Sequence, residues 1–397
     1  MKKIMVIADD LTGACDTGIK FTQKGYKTRV IMPKDGDFSI QDESVEVFSI
    51  TTDTRNCTSE EAKKIINKLL DFYGGNYHFY KKIDSILRGN IISELDVFIE
   101  RGYAKKAIIC PSYVEEGRTL KNGVLRICKS EGEANFNVGE TLGLESWGYI
   151  SLKTVRKGYE AVVEKVRNIS EKYILVDAIT NEDLQIIAEA CEVLTECIPA
   201  GSAGLARYYY KPLIKPKKIE KKKINDGGIP LIVVGTKNPI TVNQVKQLKK
   251  KNNLEVYLVY IASDGVTVTH TEILEKKINK EGILLTTNLV YFNEEKSEHL
   301  LYMNFSNENI KQIIAKEATS IYSSNNISSI ISTGGDTSSC VLESLGLNRI
   351  DLIEEIILGI PYGIASSSDG NKIKIVTKSG GFGKEDALVK LYEYMRW

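Results

Sequence analysis

Both halves of the chain alternate short apolar runs with amphipathic stretches, and this alternation limits the fold more than any other feature. A strand buried on both faces of a parallel sheet reads as an unbroken apolar run. Residues 4–8, 45–50, 107–110 and 173–176 read this way in the first half. Thr58 and Glu61 form a capping box, and Ala62, Ile65, Ile66, Leu69 and Leu70 follow at helical spacing. In the second half, residues 231–234, 256–261, 329–332 and 373–376 read as strands, and Thr241 with Gln244 reads as another capping box. The pattern predicts an α/β chain of two domains, each a mostly parallel sheet flanked by helices.

A stretch over residues 209–229 divides the halves, with seven lysines, two prolines and a Gly-Gly pair. Like charge, Pro and Gly all oppose compact packing. The expected organisation is domain 1–210, linker 211–228 and domain 229–397. The stretch lacks arginine and carries aromatic residues only at one end, which disfavours a nucleic-acid patch. Lys+Arg 53 against Asp+Glu 52 leaves too little net charge for a protein that binds nucleic acid by charge. No apolar run reaches the roughly 18 residues of a membrane helix. Seven scattered cysteines without a C-x-x-C pattern fit reduced thiols, and a cytoplasmic location is expected. Three histidines, His78, His270 and His299, leave little for chemistry that depends on several His ligands, and the segment from about 264 to 310, with His270 and His299, carries no functional signal.

In parallel sheets, ligands bind beyond the carboxyl ends of the strands. The first strand runs into Asp9-Asp10-Leu11-Thr12-Gly13, and two adjacent carboxylates there can bind hydroxyls or a cation. Helix capping alone explains one of these residues, not the cluster. Asp84-Ser85-Ile86-Leu87-Arg88-Gly89-Asn90 brings a carboxylate, a hydroxyl and an arginine together, and Arg118 ends a third such loop. Arginine clamps carboxylate or phosphate through two parallel hydrogen bonds. These loops predict a site for a small polar anion. The second half offers Gly235-Thr236-Lys237-Asn238, Gly334-Gly335-Asp336-Thr337 and Lys378-Ser379-Gly380-Gly381-Phe382-Gly383. Glycine permits close backbone approach, and free amides at a helix start favour phosphate, so a nucleotide site is expected. Neither a Walker A loop nor G-x-G-x-x-G is present. Residues 200–204 resemble a nucleophile elbow only superficially, and a helix-opening turn is the simpler account.

As an ordered set these motifs resemble the four-carbon acid sugar kinases, the ATP-dependent tetronate kinases. Pro111 with Gly117-Arg118, Val176-Asp177-Ala178 with Asp183-Leu184, and Ala200 through Ala206 extend the resemblance over nearly the whole chain. It implies an N-terminal acid-sugar domain, a C-terminal ATP domain, an active site in the cleft between them, and γ-phosphoryl transfer to O4 of a tetronate or 3-oxo-tetronate. On that basis Asp10, Asp84 and Arg88 are the catalytic candidates, either aspartate serving as base. Asp9, Thr12, Gly13, Ser85, Gly89, Asn90 and Arg118 would bind substrate. Gly235, Thr236, Asn238, Gly334, Gly335, Asp336, Thr337, Lys378, Ser379, Gly380, Gly381 and Gly383 would bind ATP and its Mg2+, with Lys378 a candidate for phosphate charge. Ile86, Cys15 and Thr236 stand where such kinases often carry threonine, asparagine and serine. A non-catalytic nucleotide or acid-sugar binder and a dehalogenase-type phosphatase are the alternatives. No nucleic-acid or membrane partner is expected, and a homodimer is left open.

Overall fold

Alternation of apolar residues puts one strand into two cores. In the computed structural model, the first strand, β1 (Lys3–Ala8), sends Ile4 and Val6 into one apolar cluster and Met5 and Ile7 into another. Burying each such side chain contributes roughly 1.5–3 kcal/mol. The described residues are 3–33, 42–75, 77–129, 132–211, 227–261, 267–276, 279–292 and 307–396. The chain separates into two compact units, 1–217 and 218–397. Most of the expected linker 211–228, and His299, lie outside the described residues.

The first unit's main sheet comprises β1, β2 (Thr28–Ile31), β3 (Val47–Thr51), β4 (Tyr77–Lys82), β5 (Lys106–Cys110) and three later strands. A separate antiparallel sheet holds β6 (Arg118–Lys121), β7 (Val124–Lys129) and β8 (Gly132–Asn137). The main sheet is completed by β9 (Gly148–Ile150), β10 (Tyr173–Val176) and β11 (Cys197–Gly201). Its order is β2-β3-β1-β4-β11-β5-β10-β9, and every pairing is parallel. The capping box Thr58/Glu61 opens the helix Ser59–Tyr73, which buries Ala62, Ile66, Leu69 and Leu70 as its spacing predicts.

The second unit contains β12 (Ile229–Val234), β13 (Leu254–Ile261), β14 (Thr267–Glu275), β15 (Gly282–Thr287), β16 (Ile327–Thr333), β17 (Leu347–Ile357), β18 (Ile360–Ser367) and β19 (Lys372–Lys378). The order is β14-β13-β15-β12-β16-β19-β18-β17; β13, β15, β12, β16 and β19 are parallel and the outer strands antiparallel. One expectation is overturned here. Thr241 and Gln244 do not cap a helix. The helix is Pro239–Lys251, with Asn238 as its cap and Pro239 at its first position. Asn238 Oδ1 accepts from the Ile240 amide at 3.0 Å. Proline fits the first helical position because its missing N–H needs no partner there, so the start is displaced and Thr241 falls inside the first turn.

Candidate functional site

In the first unit, β1 has β3 on one side and β4 on the other, so the loops leaving these three strands meet at one edge. Asp10 caps the helix Leu11–Thr22: its Oδ1 accepts from the Gly13 amide at 2.9 Å and its Oδ2 from the Thr12 hydroxyl at 2.7 Å. Capping is only part of its work. Arg55, four residues beyond β3, lies across both aspartates. Its Nε and Nη2 donate to Asp9 at 2.8 and 2.7 Å, and its Nη1 and Nη2 donate to Asp10 at 2.6 and 2.9 Å. Burial pushes the Asp10 carboxyl up. The Arg55 guanidinium, the Lys82 ammonium, the Thr12 hydroxyl and the Gly13 amide outweigh burial and hold it below the ordinary value.

Asp84 receives Arg88 as a fork, Nε at 2.7 Å and Nη2 at 3.0 Å. Burial raises this carboxyl, but Arg88, Arg55 and Lys82 lower it further, so it stays ionised at neutral pH. Arg118 donates from Nη1 to the Ser85 hydroxyl. Nearby, burial pushes the Glu116 carboxyl up to about 7 against the pull of Arg118. Gly89 sits at φ +94°, and a Cβ there would come 2.7 Å from Asp9 Oδ2. Asn90 turns its side-chain amide onto the Thr54 and Cys57 carbonyls, bracing the Arg55 loop rather than facing open space.

β4 ends in two lysines, and strand alternation separates them. Lys81 pairs with the buried Glu94 at 2.7 Å. Lys82, 6% exposed, faces the aspartates, and its ammonium makes no hydrogen bond or ion pair with the described residues. A Cβ on Gly13 would lie 3.1 Å from Lys82 Nζ, so glycine keeps the space around that charge open. Arg55 and Lys82 were not among the sequence candidates. The rule that sites lie beyond strand ends would have found Arg55, had the loop after residues 45–50 been read like its neighbours.

In the second unit, the three glycine-bearing loops meet at the ends of the adjacent strands β12, β16 and β19. A Cβ on Gly235 would collide with Thr337, and one on Gly380 would come 2.7 Å from Thr236 Oγ1 and 3.3 Å from Asn238 Cβ. Gly334, at φ +91°, precedes the helix Gly335–Ser344, whose first turn presents exposed Asp336 and buried Thr337. The Gly334 amide donates to the Lys378 carbonyl at 2.8 Å. Lys378 is fully buried. Its ammonium donates to Thr241 Oγ1 at 2.9 Å and the Ser379 carbonyl at 3.0 Å, and burial brings it down to about 7. Its side chain is therefore turned into the protein. Lys237, in the first loop, is exposed.

Residues 200–204 form the helix-opening turn expected of them. Ser202 is buried, accepts from the Gly204 amide at 3.0 Å and donates to the Ser112 carbonyl at 2.6 Å. None of the seven cysteines forms a disulfide among the described residues. No helix among the described residues is long and apolar enough to cross a membrane.

Two family models cover most of the chain. One, described as a sugar-binding N-terminal domain, matches residues 4–141 and 135–209; the other, a nucleotide-binding C-terminal domain, matches 231–388. The chain belongs to the four-carbon acid sugar kinase family. Among curated members, a D-threonate kinase of Bordetella bronchiseptica is 25% identical, covering 99% of this chain and 97% of its own. A D-erythronate kinase of Heliobacterium modesticaldum is 26% identical over 100% and 97%. A solved Salmonella typhimurium structure, described as a putative tRNA synthase, superposes with a TM-score of 0.74 at 20% identity, covering 99% of this chain and all of that one. At that identity it speaks for the fold alone.

Proposed function

We propose that this family member is an ATP-dependent kinase that transfers the γ-phosphoryl group to O4 of a four-carbon acid sugar: threonate, erythronate or 3-oxo-tetronate. The observation that carries this reading is the Lys82 ammonium. It is buried, lies beside Asp10 and Asp84, and has no anion in hydrogen-bond contact among the described residues. A buried ammonium without a hydrogen-bond acceptor is costly, and a substrate carboxylate or hydroxyl would accept from it. Relatives named as threonate and erythronate kinases agree in substrate class.

The carboxylates divide the work by their open lone pairs. Each Asp10 oxygen already accepts two hydrogen bonds, so Asp10 orients and holds Arg55. Among the described residues Asp84 Oδ1 accepts only one, from Arg88, and is the better acceptor for the O4 proton. Arg88 and Arg118 then stand beside the anionic groups. The dehalogenase alternative asks Asp9 to be a free nucleophile, whereas Arg55 occupies both its oxygens.

In the second unit, the Gly335, Gly380, Gly381 and Gly383 loops would receive the ATP phosphates through backbone amides, the Gly334 amide being held by the Lys378 carbonyl, with Lys237 as a cation nearby. The described residues contain no cluster of three His, Cys, Asp or Glu side chains that could hold a metal alone. Magnesium usually needs only one or two carboxylates besides phosphate oxygens. Asp336, with the Thr236, Thr337 and Ser379 hydroxyls, fits that demand. When bound with ATP, the ion neutralises phosphate charge.

The test is an ADP-release assay with MgATP and a panel of both enantiomers of threonate and erythronate, plus 3-oxo-tetronate generated in place. Turnover is expected with at least one. With that substrate, Asp84→Asn should lower kcat by about a hundredfold or more, as loss of a proton acceptor does, and by more than Asp10→Asn does. MgATP binding without turnover on any member would sink the tetronate assignment.

A further inference from the structure

The misread capping box has another use. From the first turns of the helix Pro239–Lys251, Thr241 and Gln244 reach into the last glycine-rich loop. Thr241 Oγ1 donates to the Gly380 carbonyl at 2.7 Å and accepts from Lys378 Nζ at 2.9 Å. Lys378 Nζ also donates to the Ser379 carbonyl at 3.0 Å. Gln244 Nε2 shares its hydrogens among the carbonyls of Phe382 at 3.1 Å, Gly383 at 3.1 Å and Lys384 at 2.9 Å. Three carbonyls around one side-chain nitrogen fix the amide's orientation, because the flipped form would set oxygen against oxygen. The cost is visible: Gln244 Oε1 is buried without a hydrogen-bond partner, a penalty of the kind proteins rarely accept.

Each of these bonds pulls a carbonyl of the loop inward. In a trans peptide the carbonyl of one residue and the N–H of the next point in opposite directions. Holding the carbonyls of Ser379, Gly380 and Phe382 inward therefore turns the amides of Gly380, Gly381 and Gly383 outward. Those three amides donate to nothing among the described residues. Successive outward N–H groups form an anion-binding concavity.

We infer that Lys378, Thr241 and Gln244 are positioning residues that set the Gly380–Gly383 amides to receive phosphate, without touching the nucleotide themselves. This rests on the reading of the second unit as the ATP site. The buried lysine thus serves phosphate binding indirectly, through the backbone it holds.

The experiment is MgATP titration calorimetry with steady-state kinetics on Thr241→Val, Gln244→Met and Thr241→Ser in the full chain, with folding checked by circular dichroism. Thr241→Val and Gln244→Met should weaken MgATP binding and raise its KM tenfold or more. The KM for the tetronate that turns over should stay within twofold, a split that general destabilisation would not produce. Thr241→Ser, which keeps the hydroxyl, should restore the affinity. If Gln244→Met fails to fold, Thr241→Val carries the test, since it keeps the shape of the buried side chain. MgATP affinity within twofold of the parent in folded Thr241→Val would overturn the inference and leave the nucleotide reading standing. Absence of MgATP binding by the parent would overturn the nucleotide reading itself.

Discussion

On the function proposed above, the two units would bind anions with different materials. The first uses side-chain charge: Asp9, Asp10 and Asp84 set against Arg55, Lys82 and Arg88. The second uses backbone amides on glycine loops, braced from behind by Thr241, Gln244 and Lys378. A charge-built site can discriminate among hydroxyls and carboxylates, because each group has its own partner. A backbone-built site meets phosphate of any nucleotide and depends on side chains that never reach the ligand. The two should therefore fail differently when altered.

The largest effect is expected at Arg55. Asp9 and Asp10 are 2% and 3% exposed, and Arg55 is their shared counter-charge. Removing one member of a buried ion pair leaves an uncompensated charge, at a cost of about 3–5 kcal/mol. Arg55→Ala should lose that much in urea unfolding, together with activity. Adding Asp9→Asn and Asp10→Asn should recover part of the stability and none of the activity. A loss below about 1 kcal/mol for Arg55→Ala would show that the first unit does not depend on its charge pairing.

The units should also answer pH in separate windows, stability rising with pH in both. Asp10 and Asp84 have folded values below their ordinary ones. Their contribution is present above about pH 4 and is lost as pH falls further through the folded values. Lys378 drops from 10.5 to about 7 on folding. Between those values the unfolded chain holds a proton that the folded chain lacks, so stability rises with pH, by up to about 1.4 kcal/mol per pH unit. Melting curves of the parent and Lys378→Met between pH 7 and 10 isolate this slope. Parallel curves for the two proteins would mean that the lysine keeps its proton on its neutral acceptors.

Gly380→Ala sharpens the contrast at smaller scale. Its Cβ would approach Thr236 Oγ1 to 2.7 Å, so the loop or the threonine must shift. A tenfold rise in the KM for MgATP, equivalent to about 1.4 kcal/mol, is expected, with little change in the KM for the acid sugar. Equal changes in both constants would contradict a site made locally of backbone.

Much of this was legible in the sequence, for physical reasons that also explain the gaps. Strands buried on both faces, such as β1 and β12, announce themselves as apolar runs, and glycine loops after them mark close approach. The β17–β18 hairpin went unread because β17 interleaves Arg349, Asp351, Glu354 and Glu355 with its apolar residues, and register shifts break the period of two. The strand-end rule points to the loop that carries Arg55, but its partners are 45 and 46 residues away, and no local pattern records such a contact. Thr241 and Gln244 had the right spacing for a cap, but Asn238-Pro239 claimed the helix start first. A short motif describes its own residues well and their distant partners not at all.

Arg88 gives the smallest expected stability effect and the closest internal control. Like Arg55 it grips carboxylate with two nitrogens, but its side chain is 58% exposed against 13% for Arg55. Water competes for an exposed pair, which is usually worth less than about 1 kcal/mol. When Arg88 is removed, Lys82 and Arg55 still face Asp84, so no charge is left wholly unanswered. Arg88→Ala should therefore unfold within about 1 kcal/mol of the parent, while the KM for the tetronate rises tenfold or more. If Arg88→Ala instead destabilised the chain as much as Arg55→Ala, exposure would not be what separates the two arginines. The outer one would then be part of the scaffold rather than a group held ready for the substrate.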